Sequence, residues 1–85
     1  MNFVNLVGRL RGLLDEKTRL LEVNRPESSD TAENLFIPLR YWTLSKLCLL
    51  TAIKEGALVI IRGRIDKDDD IGFFVVVETI SIVNK

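Results

Sequence analysis

The sequence predicts an all-β chain with one short helix: three strands, the helix, then two strands, closed as a five-stranded Greek-key barrel. Three observations carry this. Apolar residues alternate at period two in several separate stretches, the mark of half-buried strands. One stretch, residues 44–55, changes to a period near three. Polar clusters rich in Pro, Ser, Asp and Gly punctuate the rest.

The first strand is expected over residues 2–11, where Val4, Leu6, Gly8 and Leu10 share one parity and Phe3, Asn5, Val7, Arg9 and Arg11 the other. Gly8 inside it predicts a bend or a close backbone approach. A turn centred on Asp15, Glu16 and Lys17 leads to a second strand over 18–25, whose parity is blurred by the adjacent Leu20 and Leu21. Residues 26–34 are polar and predict a loop. The third strand, 35–42, alternates well: Leu35, Ile37, Leu39 and Tyr41 face one way, Phe36, Pro38, Arg40 and Trp42 the other. Pro38 cannot donate to a ladder, so an edge or a bulge is expected there.

Leu44, Leu47, Leu50 and Ile53 then predict a helix over 44–55, with Thr43 as its cap and Gly56 as its terminator. Strand returns at 57–65, with Val59, Ile61, Gly63 and Ile65 on one side and Leu58, Ile60, Arg62 and Arg64 on the other. Asp66 to Asp70 is expected as a charged hairpin loop, and 73–83, rich in Val, Ile, Thr and Phe, as the fifth strand. A five-stranded Greek-key barrel with its helix between strands three and four is the OB-fold. One domain spanning 1–85 is expected. A chain this short buries only about 60–65% of its unfolded surface, so oligomerisation is a natural remedy.

Composition narrows the function. Lys plus Arg number 12 and Asp plus Glu number 12, so the net charge is zero. Global charge therefore lends nothing to nucleic-acid binding, which must come from placement. There is no histidine and a single cysteine, Cys48. That excludes a disulfide scaffold, fits a cytoplasmic setting and disfavours metal sites built from Cys and His. No signal peptide, no membrane association and no cofactor are expected. With no nucleophile–base pair and no phosphate-cradling glycine loop, catalysis has little to work with. Cys48 is expected as a small packed hydrophobe.

The segment Phe36 to Ile65 resembles the middle of the bacterial single-stranded DNA-binding protein (SSB) family, without a gap. The family pattern there is a strand carrying aromatics, a short Lys- and Leu-containing helix, then Lys-x-Gly-x-x-Val-x-Ile-x-Gly-x-Leu. Here Lys54, Gly56, Val59, Ile61, Gly63 and Ile65 occupy the last motif. Residues 2–10 also resemble the family's first strand. The second strand, the loop after it and the loop between strands four and five are short, and one or more of the family's base-stacking aromatics in those regions have no counterpart. Nor does the family's acidic tail, so the chain resembles a tail-less member, similar to the small primosomal proteins.

The resemblance implies binding of single-stranded DNA, or of RNA, by homodimers or homotetramers joined through the first strand, with replication proteins as further partners. Phe36 and Trp42 fall where the family stacks bases. They lie roughly 20 Å apart at about 3.3 Å per residue, so each would take a different base. Arg40 stands between them to neutralise a phosphate or stack by its guanidinium plane. Arg9 and Arg11 on strand one and Arg62 and Arg64 on strand four share the outward parity. Together these residues predict a basic surface dotted with aromatics.

A blander reading stands beside each assignment. Phe36 and Trp42 could pack against a loop or a second subunit. Phe3, Phe73 and Phe74 are expected in the core or at a subunit interface, and Tyr41 in the core. Arg62 and Arg64 could be solvated strand charges that discourage edge pairing. Asp66, Asp68, Asp69 and Asp70 would repel phosphate beside the binding path, and lack the ligand series of an EF-hand. The alternative function is an OB-fold protein-interaction or oligomerisation module, a primosomal-type accessory, with weak or no DNA binding.

Overall fold

The computed structural model describes residues 2–24 and 34–83. They form β1 (Val4–Asp15), β2 (Thr18–Val23), β3 (Leu35–Tyr41), a 3-10 turn (Leu44–Lys46), α1 (Cys48–Thr51), β4 (Leu58–Asp68) and β5 (Gly72–Ile82). The strands close into a barrel in the order β1-β2-β3-β5-β4. All neighbours are antiparallel except β3 and β5. The predicted OB-fold barrel is thus the one observed.

The inward parities meet in one core: Leu10, Leu21, Leu39, Leu50, Val59, Ile61, Val75 and Val77. Each fully buried aliphatic side chain contributes roughly 1.5–3 kcal/mol. Gly8 and Gly63 sit where strands pass closest. A Cβ on Gly8 would meet the carbonyl oxygen of Glu22, and one on Gly63 that of Val76. Both are therefore held by steric exclusion, at Gly8 as the sequence predicted. Pro38 lies just outside the β3–β5 ladder, which begins at Leu39, so its missing N–H falls where β3 has β2 alone as a paired neighbour.

The helical segment differs from expectation. Instead of one helix over 44–55 there are a 3-10 turn and a four-residue α1. Apolar spacing of three fits the eclipsed i, i+3 geometry of a 3-10 turn better than a 3.6-residue stripe. Thr43 makes no side-chain cap bond to the backbone; its hydroxyl meets that of Ser45 at 3.1 Å. Of the four periodic residues only Leu50 is fully buried, entering the barrel as a plug. Gly56 does take a positive φ of 89°, but in a later turn where its N–H bonds the Leu10 carbonyl at 2.7 Å.

The end of α1 is held by Arg19, which the sequence did not single out. This side chain is buried on β2 and donates to the carbonyls of Arg11, Leu50 and Thr51. It satisfies the last helical carbonyls that have no intrahelical partner.

Asp66 to Asp70 is also not the loop expected. β4 runs on through Asp68, with Asp66 opposite Phe74 and Asp68 opposite Gly72. The turn is Asp69 to Ile71, closed by the Asp70 N–H on Asp68 Oδ1 at 2.7 Å. Local side-chain-to-backbone bonding of this kind is what makes Asp a turn residue. Arg25 and most of the 26–34 loop lie outside the described residues. Among the described residues no helix is long and apolar enough to cross a membrane.

Candidate nucleic-acid interface

β3 supplies the centre of the site. Its outward parity carries Phe36, Pro38 and Arg40, and Trp42 follows just beyond its end. Phe36 and Trp42 are each 55% exposed, so neither ring is sealed within the barrel. The Trp42 N–H bonds the Val77 carbonyl at 3.0 Å, which anchors its backbone to β5. Its ring tilts against Tyr41, with centroids 6.2 Å apart. Tyr41 itself packs against the core, as its parity predicted.

Arg40 is half-buried and already engaged. Its Nη1 meets Asp68 Oδ2 at 2.8 Å, and its Nε donates to Thr18 Oγ1 at 2.8 Å. Asp15 Oδ2 stands 3.9 Å from Nη2, and the guanidinium lies 4.8 Å from the Phe74 ring centroid. Arg40 therefore ties the β1–β2 hairpin to the β4–β5 hairpin. Those two connections and the strand 2–3 face are where OB-folds bind oligonucleotides. The Arg40 hydrogen bond, aided by the Asp70 N–H, holds the Asp68 carboxyl below its usual range.

The remaining arginines divide into two groups that share β3. Arg40 pairs with Val76 and Val76 with Arg64, so both guanidiniums stem from one row across β3, β5 and β4, about 10 Å apart at the backbone. Arg64 Nε is 2.9 Å from Glu78 Oε2. Arg62, next along β4, lies over the exposed Phe3 ring at 5.5 Å. The second row is Phe36, Glu22 and Arg9, across β3, β2 and β1. Arg11 Nε meets Glu22 Oε1 at 2.7 Å, and Arg9 Nη1 donates to the Gly56 carbonyl at 3.0 Å. Among the described residues Arg9 and Arg62 have no carboxylate partner, whereas Arg11, Arg40 and Arg64 do.

Glu22 escaped the sequence reading, because parity places a residue on a face without saying who stands beside it. Phe74 is buried beneath Arg40, but Phe3 and Phe73 are exposed rather than core. Cys48 is exposed too, not packed, because α1 is too short to turn more than Leu50 fully inward. Such a surface can stack planar rings and offer guanidinium donors between them.

No family model matches the chain, and no curated protein matches it in sequence. Solved structures do resemble it. The mitochondrial single-stranded DNA-binding protein Rim1 of S. cerevisiae superimposes with a TM-score of 0.66 at 14% identity, over 96% of this chain and 93% of that one. The dimeric N-terminal domain of PriB from Thermoanaerobacter tencongensis gives 0.66 at 24% identity, over 99% and 98%. The OBody NL8, bound to hen egg-white lysozyme, gives 0.61 at 17%, over 100% and 97%. Strand order, closure and these likenesses agree on one architecture: the chain is an OB-fold barrel.

Proposed function

We propose that the chain binds single-stranded DNA with little overall sequence preference, in replication, recombination or repair. The observation that carries this is the pair of exposed rings, Phe36 and Trp42, on the β3 face with Arg40 between them. Single strands offer phosphates and base faces, and sequence-tolerant binding uses cations for the first and aromatics for the second. Arg9, Arg11, Arg62 and Arg64 extend the phosphate path to either side. Fluorescence titration of Trp42 with oligothymidylate tests the proposal: quenching at low salt, weakening as salt rises, supports it. Unchanged fluorescence together with no gel retardation overturns it. RNA in place of DNA is the comparison arm.

Partner and setting follow the same reading. We place the protein in the cytoplasm as a homodimer or homotetramer, alongside replication proteins, and as a binding module rather than an enzyme. β1 pairs with β4 from Val4 to Arg9, while its ladder with β2 begins at Arg9. Among the described residues one edge of the Val4–Gly8 stretch has no strand partner, and a second copy would pair there, beside exposed Val7 and Ile60.

One observation favours the second reading, a protein-interaction module. Three of the five candidate arginines are neutralised by the chain's own carboxylates. The OBody likeness adds that a barrel of this shape can bind a protein. On that reading Arg40→Ala and Arg64→Ala together leave function intact.

A further inference from the structure

We propose that the pocket between β1 and β2 beside Phe36 reads guanine: a base stacked on Phe36 presents its Watson–Crick edge to Glu22, flanked by Arg11 and Asn34. This rests on the single-strand reading above and deepens it. Phe36 and Glu22 are register partners. Directly opposite residues on one face have Cβ atoms about 5 Å apart. Glu22 and Phe36 therefore project side by side from the same face of the sheet, Glu22 into the pocket and Phe36 next to it.

The pocket holds about 360 Å³ and is lined by Glu22, Arg9, Arg11, Asn24 and Asn34 among others. Small-ligand sites occupy roughly 300–1,000 Å³, so one base is of suitable size. Glu22 Oε1 accepts from Arg11 Nε and Oε2 from Asn34 Nδ2, both at 2.7 Å. An ionised carboxylate has about four acceptor positions, so each oxygen keeps one in reserve. The Asn34 and Arg11 bonds also hold its carboxyl below the usual range, which keeps it an acceptor at neutral pH.

Guanine is the base whose edge matches. Its N1–H and N2–H are adjacent donors that suit the two carboxylate oxygens in parallel. Its O6, next to N1, accepts from the Arg11 guanidinium, and Asn34 can take the second N2 proton. Adenine and cytosine present a ring-nitrogen acceptor where guanine has N1–H, facing the carboxylate lone pairs. Thymine presents one N–H between two carbonyl oxygens that the carboxylate repels. Arg9, without a carboxylate partner among the described residues, remains for the adjoining phosphate.

The test compares the wild-type chain with d(TG)7, with d(TI)7, whose hypoxanthine lacks the N2 amino group, and with dT14. Tighter binding of d(TG)7 than of both others, by about fivefold or more, is expected for a bidentate base contact. Glu22→Gln, checked for folding by thermal melting, should equalise d(TG)7 and d(TI)7. Free GMP should not compete at concentrations where d(TG)7 does. Equal affinity for the three oligonucleotides overturns the guanine site while leaving single-strand binding intact, whereas competition by GMP as strong as by d(TG)7 keeps a guanine site but overturns the single-strand reading. Retention of none of them overturns both.

Discussion

The guanidinium of Arg40 lies 2.8 Å from the carboxylate of Asp68, so the central cation of the β3 face is matched by an anion from the β4–β5 hairpin. Sequence parity had put Arg40 in the path of a phosphate and Asp68 in a solvated loop. In the folded chain they meet, and a phosphate reaching Arg40 competes with Asp68 for it.

Asp68→Asn should therefore strengthen single-stranded DNA binding at low salt severalfold. It should also steepen the plot of log affinity against log salt by about 0.7, the value of one added phosphate contact on a single strand. Asp70→Asn is the control, since Asp70 is exposed and bonds no arginine among the described residues. An identical slope in Asp68→Asn and wild type would mean that Arg40 is a purely internal clasp.

Truncating the rings separates stacking from packing. Trp42→Ala and Phe36→Ala should each weaken binding by about 1–3 kcal/mol, the worth of one stacked base. With both rings 55% exposed, neither change should lower the melting temperature by more than a few degrees. A large loss of stability with unchanged binding would assign the rings to packing instead.

Acid should unfold the chain through its paired carboxylates. Asp15 and Asp68 lie below their ordinary value of 3.8 and Glu22 below 4.5, held there first by hydrogen bonds from Lys17 N–H, Arg40 and Asn34 respectively. A carboxyl whose folded pKa is depressed stabilises the fold above its unfolded pKa and loses that contribution as pH falls through the folded value. With no histidine, urea midpoints should stay nearly flat from about pH 8 to 5 and then fall below about pH 4.5. Asp68→Asn should flatten the acid limb.

Two core changes probe the barrel itself. Leu50→Ala removes the plug from the helix end and should cost about 2–5 kcal/mol in chemical denaturation. Gly63→Ala drives a Cβ into the Val76 carbonyl oxygen, a backbone atom that cannot step aside. It should yield little folded protein, whereas Gly12→Ala, with nothing near its Cβ, should fold normally.

Much of the fold was legible because strand burial is local. Period two in Val4 to Leu10, Leu35 to Tyr41 and Leu58 to Ile65 announced the strands and most of their inward faces, though Leu35 and Ile65, of the inward parity, are exposed. The helical segment was less legible. Its end is held by Arg19, 31 residues from the Leu50 carbonyl it bonds, and no pattern within 44–55 contains that bond. The β4–β5 hairpin misled for a similar reason: Asp66 to Asp68 have loop-like composition, yet their cross-strand partners Phe74, Phe73 and Gly72 keep them in the ladder.

Residue chemistry and parity alone determined the OB-fold order and the outward placing of Phe36, Arg40 and Trp42. Only the tertiary structure decided which charges cancel. Ion pairing between strands depends on register, and the irregularities at Leu10/Leu13 and Arg62/Gly63 shift it. A single-residue shift changes every partner across the sheet, so Arg40 with Asp68, and Glu22 beside Phe36, arise only once the barrel has closed.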